Sequence, residues 1–213
     1  MSSLYKNVKS GANKTAQNVG QSVGLNTGTK GEADWTDYNW PPLIRILHYS
    51  LSDVEEGARS IVRKMNISFW LTFFALIIGI LSCIVQVADD AAPGINILYG
   101  FLNLVLLGAA SSFTFYQGYY ALATNDDDRK TKYCIYQTLL IVVYLTISIA
   151  SFGAFNGWTR LGTLSDEGAS SFASVLVMIE AGLYTLNYLL AAFTVFQTYK
   201  YDGVILGRPG RAQ

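Results

Sequence analysis

Four long windows of the sequence carry almost no charge, and this feature constrains the fold more than any other. The windows cover residues 65–88, 91–125, 133–159 and 168–199, and Glu180 is the one charged residue among them. Each window is longer than the roughly 20 apolar residues that a helix needs to cross the hydrocarbon core of a bilayer. The sequence therefore excludes a soluble globular fold and predicts an integral membrane protein whose first partner is the lipid bilayer.

The charge-free windows are expected to be helices, because in hydrocarbon every backbone N–H and C=O group must be hydrogen bonded within the protein. The predicted spans lie near residues 66–87, 98–121, 133–155 and 173–198. The predicted fold class is all-α: a bundle of four transmembrane helices, preceded by a cytosolic juxtamembrane amphipathic helix and a disordered N-terminal tail. The predicted regions are a tail over 1–38, the juxtamembrane segment over 39–65, the membrane domain over 66–199 and a C-terminal tail over 200–213.

The distribution of Lys and Arg predicts the orientation of the spans. With four spans, 14 of the 15 basic residues lie on one side of the membrane, and Arg160 alone lies on the other. Loops rich in Lys and Arg face the cytosol. Both termini are therefore predicted to be cytosolic, and the opposite loops, with Asp89, Asp90, Asp166 and Glu167, are predicted to be lumenal.

The flanking segments carry two weaker patterns. Residues 1–34 are rich in Gly, Ser, Thr, Asn and Gln, which is typical of a disordered tail; a membrane-surface helix through Leu4, Val8, Thr15, Val19 and Val23 is the alternative. Apolar residues recur every three or four positions at Leu47, Leu51, Val54, Ala58, Ile61 and Met65. This spacing predicts one apolar helix stripe, which either packs against the bundle or binds a partner.

Basic residues next to the spans are candidates for contacts with anionic lipid headgroups. They are Arg59, Arg63 and Lys64 before the first span, and Arg129, Lys130 and Lys132 between the second and third spans. Three aspartates at 126–128 precede the second group and offset much of its attraction.

The composition argues against an enzyme, a cofactor site and a nucleic-acid binder. One His and two Cys cannot supply a cluster of soft metal ligands, and no nucleophile with an acid/base partner is recognisable. Equal numbers of basic and acidic residues, 15 of each, exclude a generally basic nucleic-acid binder.

Glu180 needs an explanation, because an ionised carboxylate inside a membrane is costly unless it is paired, hydrated or protonated. Our hypothesis is that Glu180 faces the bundle interior, protonated or hydrogen bonded to a neighbouring helix. Tyr184 and Asn187 follow on roughly the same helix face and are expected to share a polar seam with it. The alternative function that this residue suggests is a small oligomeric transporter or channel.

The order of motifs resembles the secretory carrier membrane proteins. The NWPPL motif (Asn39, Trp40, Pro41, Pro42 and Leu43) is followed by a juxtamembrane stretch and four spans, as in that family, and Phe155-Asn156-Gly157-Trp158 resembles the family's third-span exit. A cytosolic interface segment follows the second span in the family. Its place is taken here by Phe115, Tyr116, Gln117, Gly118, Tyr119 and Tyr120.

The resemblance implies a tetraspan protein of post-Golgi and endosomal vesicles that acts in protein transport, exocytosis and endocytosis through partners at its cytosolic tails. The chain departs from the family where Cys-Trp-Tyr-Arg-Pro is replaced by Thr114, Phe115, Tyr116, Gln117 and Gly118, and it lacks Asn-Pro-Phe repeats. It therefore looks like a short, divergent member. The small residues at 108–112 favour close helix packing, within the bundle or in a homo-oligomer.

Overall fold

The computed structural model describes residues 35–41, 45 and 47–201. Its long helices are α1 (Glu56–Ala88), α2 (Ile95–Thr124), α3 (Asp127–Ile149) and α5 (Ser171–Lys200), joined by the short helix α4 (Arg160–Leu164) and the strands β1 (Ser151–Phe152) and β2 (Phe155–Asn156). Within these residues, four helices are long and apolar enough to cross a membrane. The predicted four-span, mostly helical fold class is confirmed.

The bundle has two ends. The termini face comprises residues 38–41, 45 and 47–55, the turn at 125–126 and Tyr201; the hairpin face comprises residues 89–94 and 150–170. Between the two faces α5 packs along α1 and α3, while α2 packs on α1 and α3. A central cluster of Ala75, Leu140, Tyr144, Ile147 and Tyr184 fills the core. Outward-facing side chains are apolar, including Val105, Leu106 and Leu139, so that the bundle presents hydrocarbon to lipid.

The third helix ends at Ile149 rather than near residue 155. An antiparallel hairpin follows, with Ser151 paired to Asn156 and Phe152 to Phe155. Gly153 supplies the turn at φ +57°, and a Cβ on Gly157 would lie 2.5 Å from the carbonyl oxygen of Ala150. The amides of Trp158 and Thr159 donate to the carbonyls of Ser148 and Ile149, so the last turn of α3 is hydrogen bonded by the returning chain.

The first helix is also different from the prediction. It begins at Glu56 and runs for 33 residues into the first span, a length of about 50 Å. Residues 47–55 are not helical because the amide and the carbonyl of Trp40 pair with Leu47 in an antiparallel bridge. Part of the apolar stripe, Val54, Ala58, Ile61 and Met65, is buried, which favours the packing interpretation.

The predictions for the N-terminal tail over 1–34, for Pro42 and Leu43 and for most of the C-terminal tail lie outside the described residues.

Candidate functional site

Trp40 of the NWPPL motif and Phe115 of the interface segment, far apart in the sequence, meet at the termini face. The Trp40 indole is only 5% exposed and lies 4.6 Å from the Phe69 ring of α1 and 4.7 Å from the Phe115 ring of α2, between ring centroids. Tyr49 completes the contact from the same segment as Trp40, 5.6 Å from Phe115. Offset and tilted aromatic pairs at these distances are stabilising beyond their buried area. We call this group the Trp40 cluster.

Hydrogen bonds fix the segment after Trp40 to α2. The Tyr119 hydroxyl accepts from the Ser50 amide at 3.0 Å and lies 3.1 Å from Asp53 Oδ2. The same carboxylate oxygen accepts from His48 Nε2 at 2.6 Å. The side chain of Asn39 accepts from the Tyr49 amide at 2.9 Å. Residues 48–53, which the apolar spacing predicted to be helical, are instead held by this His48–Asp53–Tyr119 group.

The residues of the interface segment differ in how deeply they are buried. Phe115, Gly118 and Tyr119 are buried, whereas Tyr116, Gln117 and Tyr120 are half-buried. The helices α2 and α3 approach each other closely at Gly118, since a Cβ there would lie 2.6 Å from Cδ2 of Tyr133. The buried half of the segment thus serves as the surface on which Trp40 and Tyr49 pack.

Most of the basic residues proposed for lipid contacts also contact protein groups. Lys64 donates to Gln197 at 2.9 Å, Arg59 to the Val54 carbonyl at 3.1 Å, and Lys130 to the Tyr201 carbonyl. Arg129 and Lys132 pair with Asp126 and Asp128, while Arg63 is exposed. The carboxylates of residues 126 and 128 therefore offset the charge of this group, as the sequence suggested.

Glu180 lies in the bundle interior with 1% of its surface exposed. Its two carboxylate oxygens accept from the backbone amide of Asn156 at 3.3 Å and from Asn156 Nδ2 at 3.0 Å. The partner is therefore the hairpin rather than a neighbouring helix. Gly79 of α1 makes the space, because a Cβ there would stand 3.0 Å from Glu180 Oε1.

Side-chain hydrogen bonds continue from Asn156 to the hairpin face. Asn156 Oδ1 accepts from Gln86 Nε2 at 2.9 Å, and Gln86 Oε1 accepts from Arg160 Nε at 2.9 Å. Arg160 in turn pairs with Glu167 at 2.7 Å and donates to the Ala91 carbonyl at 2.6 Å. The sequence gives few signals for this series of hydrogen bonds: Gln86 in a charge-free window, Asn156 in the motif at 155–158 and the isolated cation at 160.

Asn187 belongs to a different polar layer, so the seam expected to join it to Glu180 is wrong. Its amide group accepts from Ser68 at 2.6 Å and donates to Thr72 at 2.7 Å. Tyr144 joins Thr72 at 2.8 Å and Ser111 at 2.6 Å. This central layer connects all four spans. Tyr184, between the layers, stacks on Tyr144 and its hydroxyl has no hydrogen-bond partner in the described part of the chain.

Asp89 and Tyr201, outside the spans and at opposite faces, have shifted pKa values. At the hairpin face, the amide and hydroxyl of Ser170 donate to Asp89 Oδ2 and lower the pKa of that carboxyl group. At the termini face, burial and the neighbouring Glu55 carboxylate raise the pKa of Tyr201 to about 12. The Tyr201 hydroxyl donates to Glu55 at 2.7 Å, so α5 is tied to the start of α1.

Comparison with known families decides the relationship. The sequence model of the SCAMP family matches residues 37–203, which begins just before the NWPPL motif and includes all four spans. The chain belongs to the SCAMP family. As a SCAMP it is a multi-pass membrane protein of vesicle traffic, in a family that is not known for enzymes. A search of curated proteins and a search of solved structures found no match.

Among the described residues, no three His, Cys, Asp or Glu side chains come together in a way that could hold a metal ion. The buried polar groups of the SCAMP bundle instead bond to one another across helices, an arrangement that stabilises helix contacts in lipid.

Proposed function

We propose that this protein acts in post-Golgi and endosomal recycling traffic, in protein transport and in exocytosis and endocytosis, through membrane-surface contacts and partner proteins at its termini face. In this proposal both termini are cytosolic and the hairpin face is lumenal. The charge distribution supports the orientation, since Arg160 is the one basic residue of the hairpin face and is paired with Glu167.

The observation that carries the proposal is the packing of Trp40 against α1 and α2. Because the indole is buried between Phe69 and Phe115, the segment around Trp40 is held at a fixed place on the termini face. Exposed Arg63 and the aromatic side chains Tyr116 and Tyr120 lie at the same end and provide contacts with headgroups. These residues would then be presented to cytosolic partners from one face.

A Trp40→Ala variant of the full-length tagged chain tests the proposal. We expect it to insert normally and to redistribute among the Golgi, endosomes and plasma membrane, with loss of proximity labelling of cytosolic trafficking proteins. The matched control is Trp158→Ala, which removes a partly exposed tryptophan from the hairpin face. Wild-type distribution and labelling for Trp40→Ala would contradict the proposal.

The structure gives less support to a transporter or channel. The Glu180 carboxylate is hydrogen bonded to Asn156, and the cavity beside it measures about 10 Å³, which leaves no room for a solute pathway. Solute flux through liposomes containing the protein, abolished by Glu180→Gln, would favour the transporter; no flux would leave traffic as the function.

A further inference from the structure

A small cavity lies beside Glu180 in the middle of the bundle. It has a volume of about 10 Å³ and is lined by Glu180 and Tyr184 together with Gly79, Gly100 and Asn103. One water molecule needs a space of about 10–15 Å³ measured in this way, and it needs polar partners. The cavity supplies two such partners, since the Tyr184 hydroxyl is buried with no partner among the described residues and the Glu180 carboxyl group faces the same space.

Among the residues that the structure describes, no cation contacts the Glu180 carboxyl group directly. In the described ranges Glu180 forms no ion pair with Lys, Arg or His. The groups around it are the Cys83 thiol from α1, the Asn103 amide from α2, Asn156 from the hairpin and Tyr184 from its own helix, with the Tyr144 hydroxyl of α3 behind Tyr184. Arg160 is separated from it by the side chains of Gln86 and Asn156.

These surroundings suit both forms of a carboxyl group. The ionised form accepts two hydrogen bonds from Asn156, at 3.3 and 3.0 Å. The neutral acid has a hydrogen of its own to donate, and a water molecule in the cavity would accept it while bonding to the Tyr184 hydroxyl. An unpaired carboxyl group inside a membrane favours such an arrangement, because the charged form alone is costly there.

A second cavity brings water close to this group. It measures about 280 Å³, opens at the hairpin face, and is lined by Gln86, Asn96, Asn156, Arg160 and Glu167 among others. Asn156 lines this cavity and also bonds to Glu180, so one side chain separates the carboxyl group from the polar hairpin face. Toward the termini face, the Tyr184 ring stacks on the Tyr144 ring, whose hydroxyl belongs to the central polar layer.

We propose that Glu180 is a proton-binding site that exchanges with the hairpin face past Asn156, with one water molecule held between its carboxyl group and the Tyr184 hydroxyl. Binding converts the carboxylate to the acid, and the proton comes from water in the 280 Å³ cavity and returns there on release. Proton binding and release each change the acceptor strength of the Glu180 oxygens toward Asn156, and so change the hydrogen bonding between the hairpin and α5. That this face is lumenal rests on the proposed function.

Infrared difference spectra of the full-length chain in lipid nanodiscs test the site. We expect a carboxylic-acid carbonyl band that fades as the pH is raised, is lost in Glu180→Gln and persists in the matched control Asp166→Asn, which changes an exposed carboxylate of the hairpin face outside the cavity. Tyr184→Phe should shift the frequency of this band, because the water loses a partner. Spectra of Glu180→Gln identical to wild type at every pH would overturn the proton site, and an unshifted band in Tyr184→Phe would overturn the water.

Reconstitution in sealed liposomes tests the side of access. With the orientation of the chain determined by protease protection of a terminal tag, the band should respond to a pH change at the hairpin face and not to one at the termini face. A response to the termini face alone would overturn the route past Asn156. Because the tag reports orientation independently, a wrong lumenal assignment is distinguished from a failed proton site.

Discussion

At the scale of single residues, glycines decide how closely the helices approach. Gly118 of α2 faces Tyr133 Cδ2, which would be 2.6 Å from an added Cβ, and Met65 Sδ at 2.9 Å. Met65 is flexible, but Tyr133 is fully buried and its hydroxyl lies 3.0 Å from Thr194 Oγ1. The tyrosine cannot move aside without losing that bond.

Gly118→Ala is therefore expected to lower the free energy of unfolding by about 1–3 kcal/mol, the usual penalty for overpacking a core. Unfolding of the purified protein in detergent measures the change. Gly108→Ala is the control on the same helix, because a Cβ there meets nothing within 4 Å, and its stability should match or slightly exceed that of wild type. Equal stability of the two variants would mean that α2 does not pack as described.

Asp89 makes stability depend on pH at the hairpin face. Hydrogen bonds from Ser170 lower the pKa of Asp89 in the folded protein, so their contribution is present above the unfolded pKa and is lost as the pH falls through the folded value. We expect Asp89→Asn to be less stable than wild type at neutral pH, with the difference disappearing on acidification. Thermal unfolding across the acidic range measures this.

The adjacent Asp90 provides the control for that prediction. Asp90 has φ +56°, a conformation that Asn also tolerates, so Asp90→Asn changes the charge with little backbone strain. Its difference from wild type should not show the pH dependence of Asp89→Asn. The same acid-dependent loss in both variants would assign the effect to general charge at this face.

At the scale of elements, the sequence predicted the spans well and their ends less well. A charge-free window identifies residues that can lie in hydrocarbon, and each of the four windows corresponds to one long helix: α1, α2, α3 or α5. The end of α3 depends on a close backbone contact at Gly157, and the start of α1 depends on the pairing of Trp40 with Leu47. Both contacts join parts of the chain that no local pattern relates.

The candidate sites were likewise only partly predictable from the sequence. The isolated Glu180 and the NWPPL motif are visible in the sequence, but their partners are not: Asn156 reaches Glu180 only because the hairpin folds back into the bundle. Helical spacing suggested that Asn187 joins Glu180, yet the hydroxyls of α1 engage Asn187 instead. Spacing along one helix does not say which neighbouring helix supplies a partner.

Tyr144 tests the central layer that connects the spans. Tyr144→Phe removes a hydroxyl that lies 2.8 Å from Thr72 Oγ1 and 2.6 Å from Ser111 Oγ. We expect a loss of about 0.5–1.5 kcal/mol, the net value of a typical hydrogen bond. Detergent unfolding should show no change for the control Tyr199→Phe, whose side chain is mostly exposed. A neutral Tyr144→Phe would mean that Thr72 and Ser111 pair equally well without it.

At the scale of the whole molecule, the proposed orientation can be tested by labelling. In a Cys134→Ser background, cysteines replace the exposed residues Lys132 at the termini face and Asp166 at the hairpin face. A membrane-impermeant maleimide added to sealed vesicles with their cytosolic side outward should label Lys132→Cys at once, and Asp166→Cys only after permeabilisation. The reverse order would invert the topology.

The central layer also bears on how the protein is made. Synthesis delivers α1 first and α5 last, yet Ser68 and Thr72 of α1 bond to Asn187 of α5, and Gly79 leaves the space that Glu180 fills. Until α5 inserts, Ser68 and Thr72 lack this partner, and polar groups with unmade hydrogen bonds are unfavourable in hydrocarbon. Insertion of the final span thus completes assembly, and chains truncated before Ser171 should be recognised as unfinished and degraded.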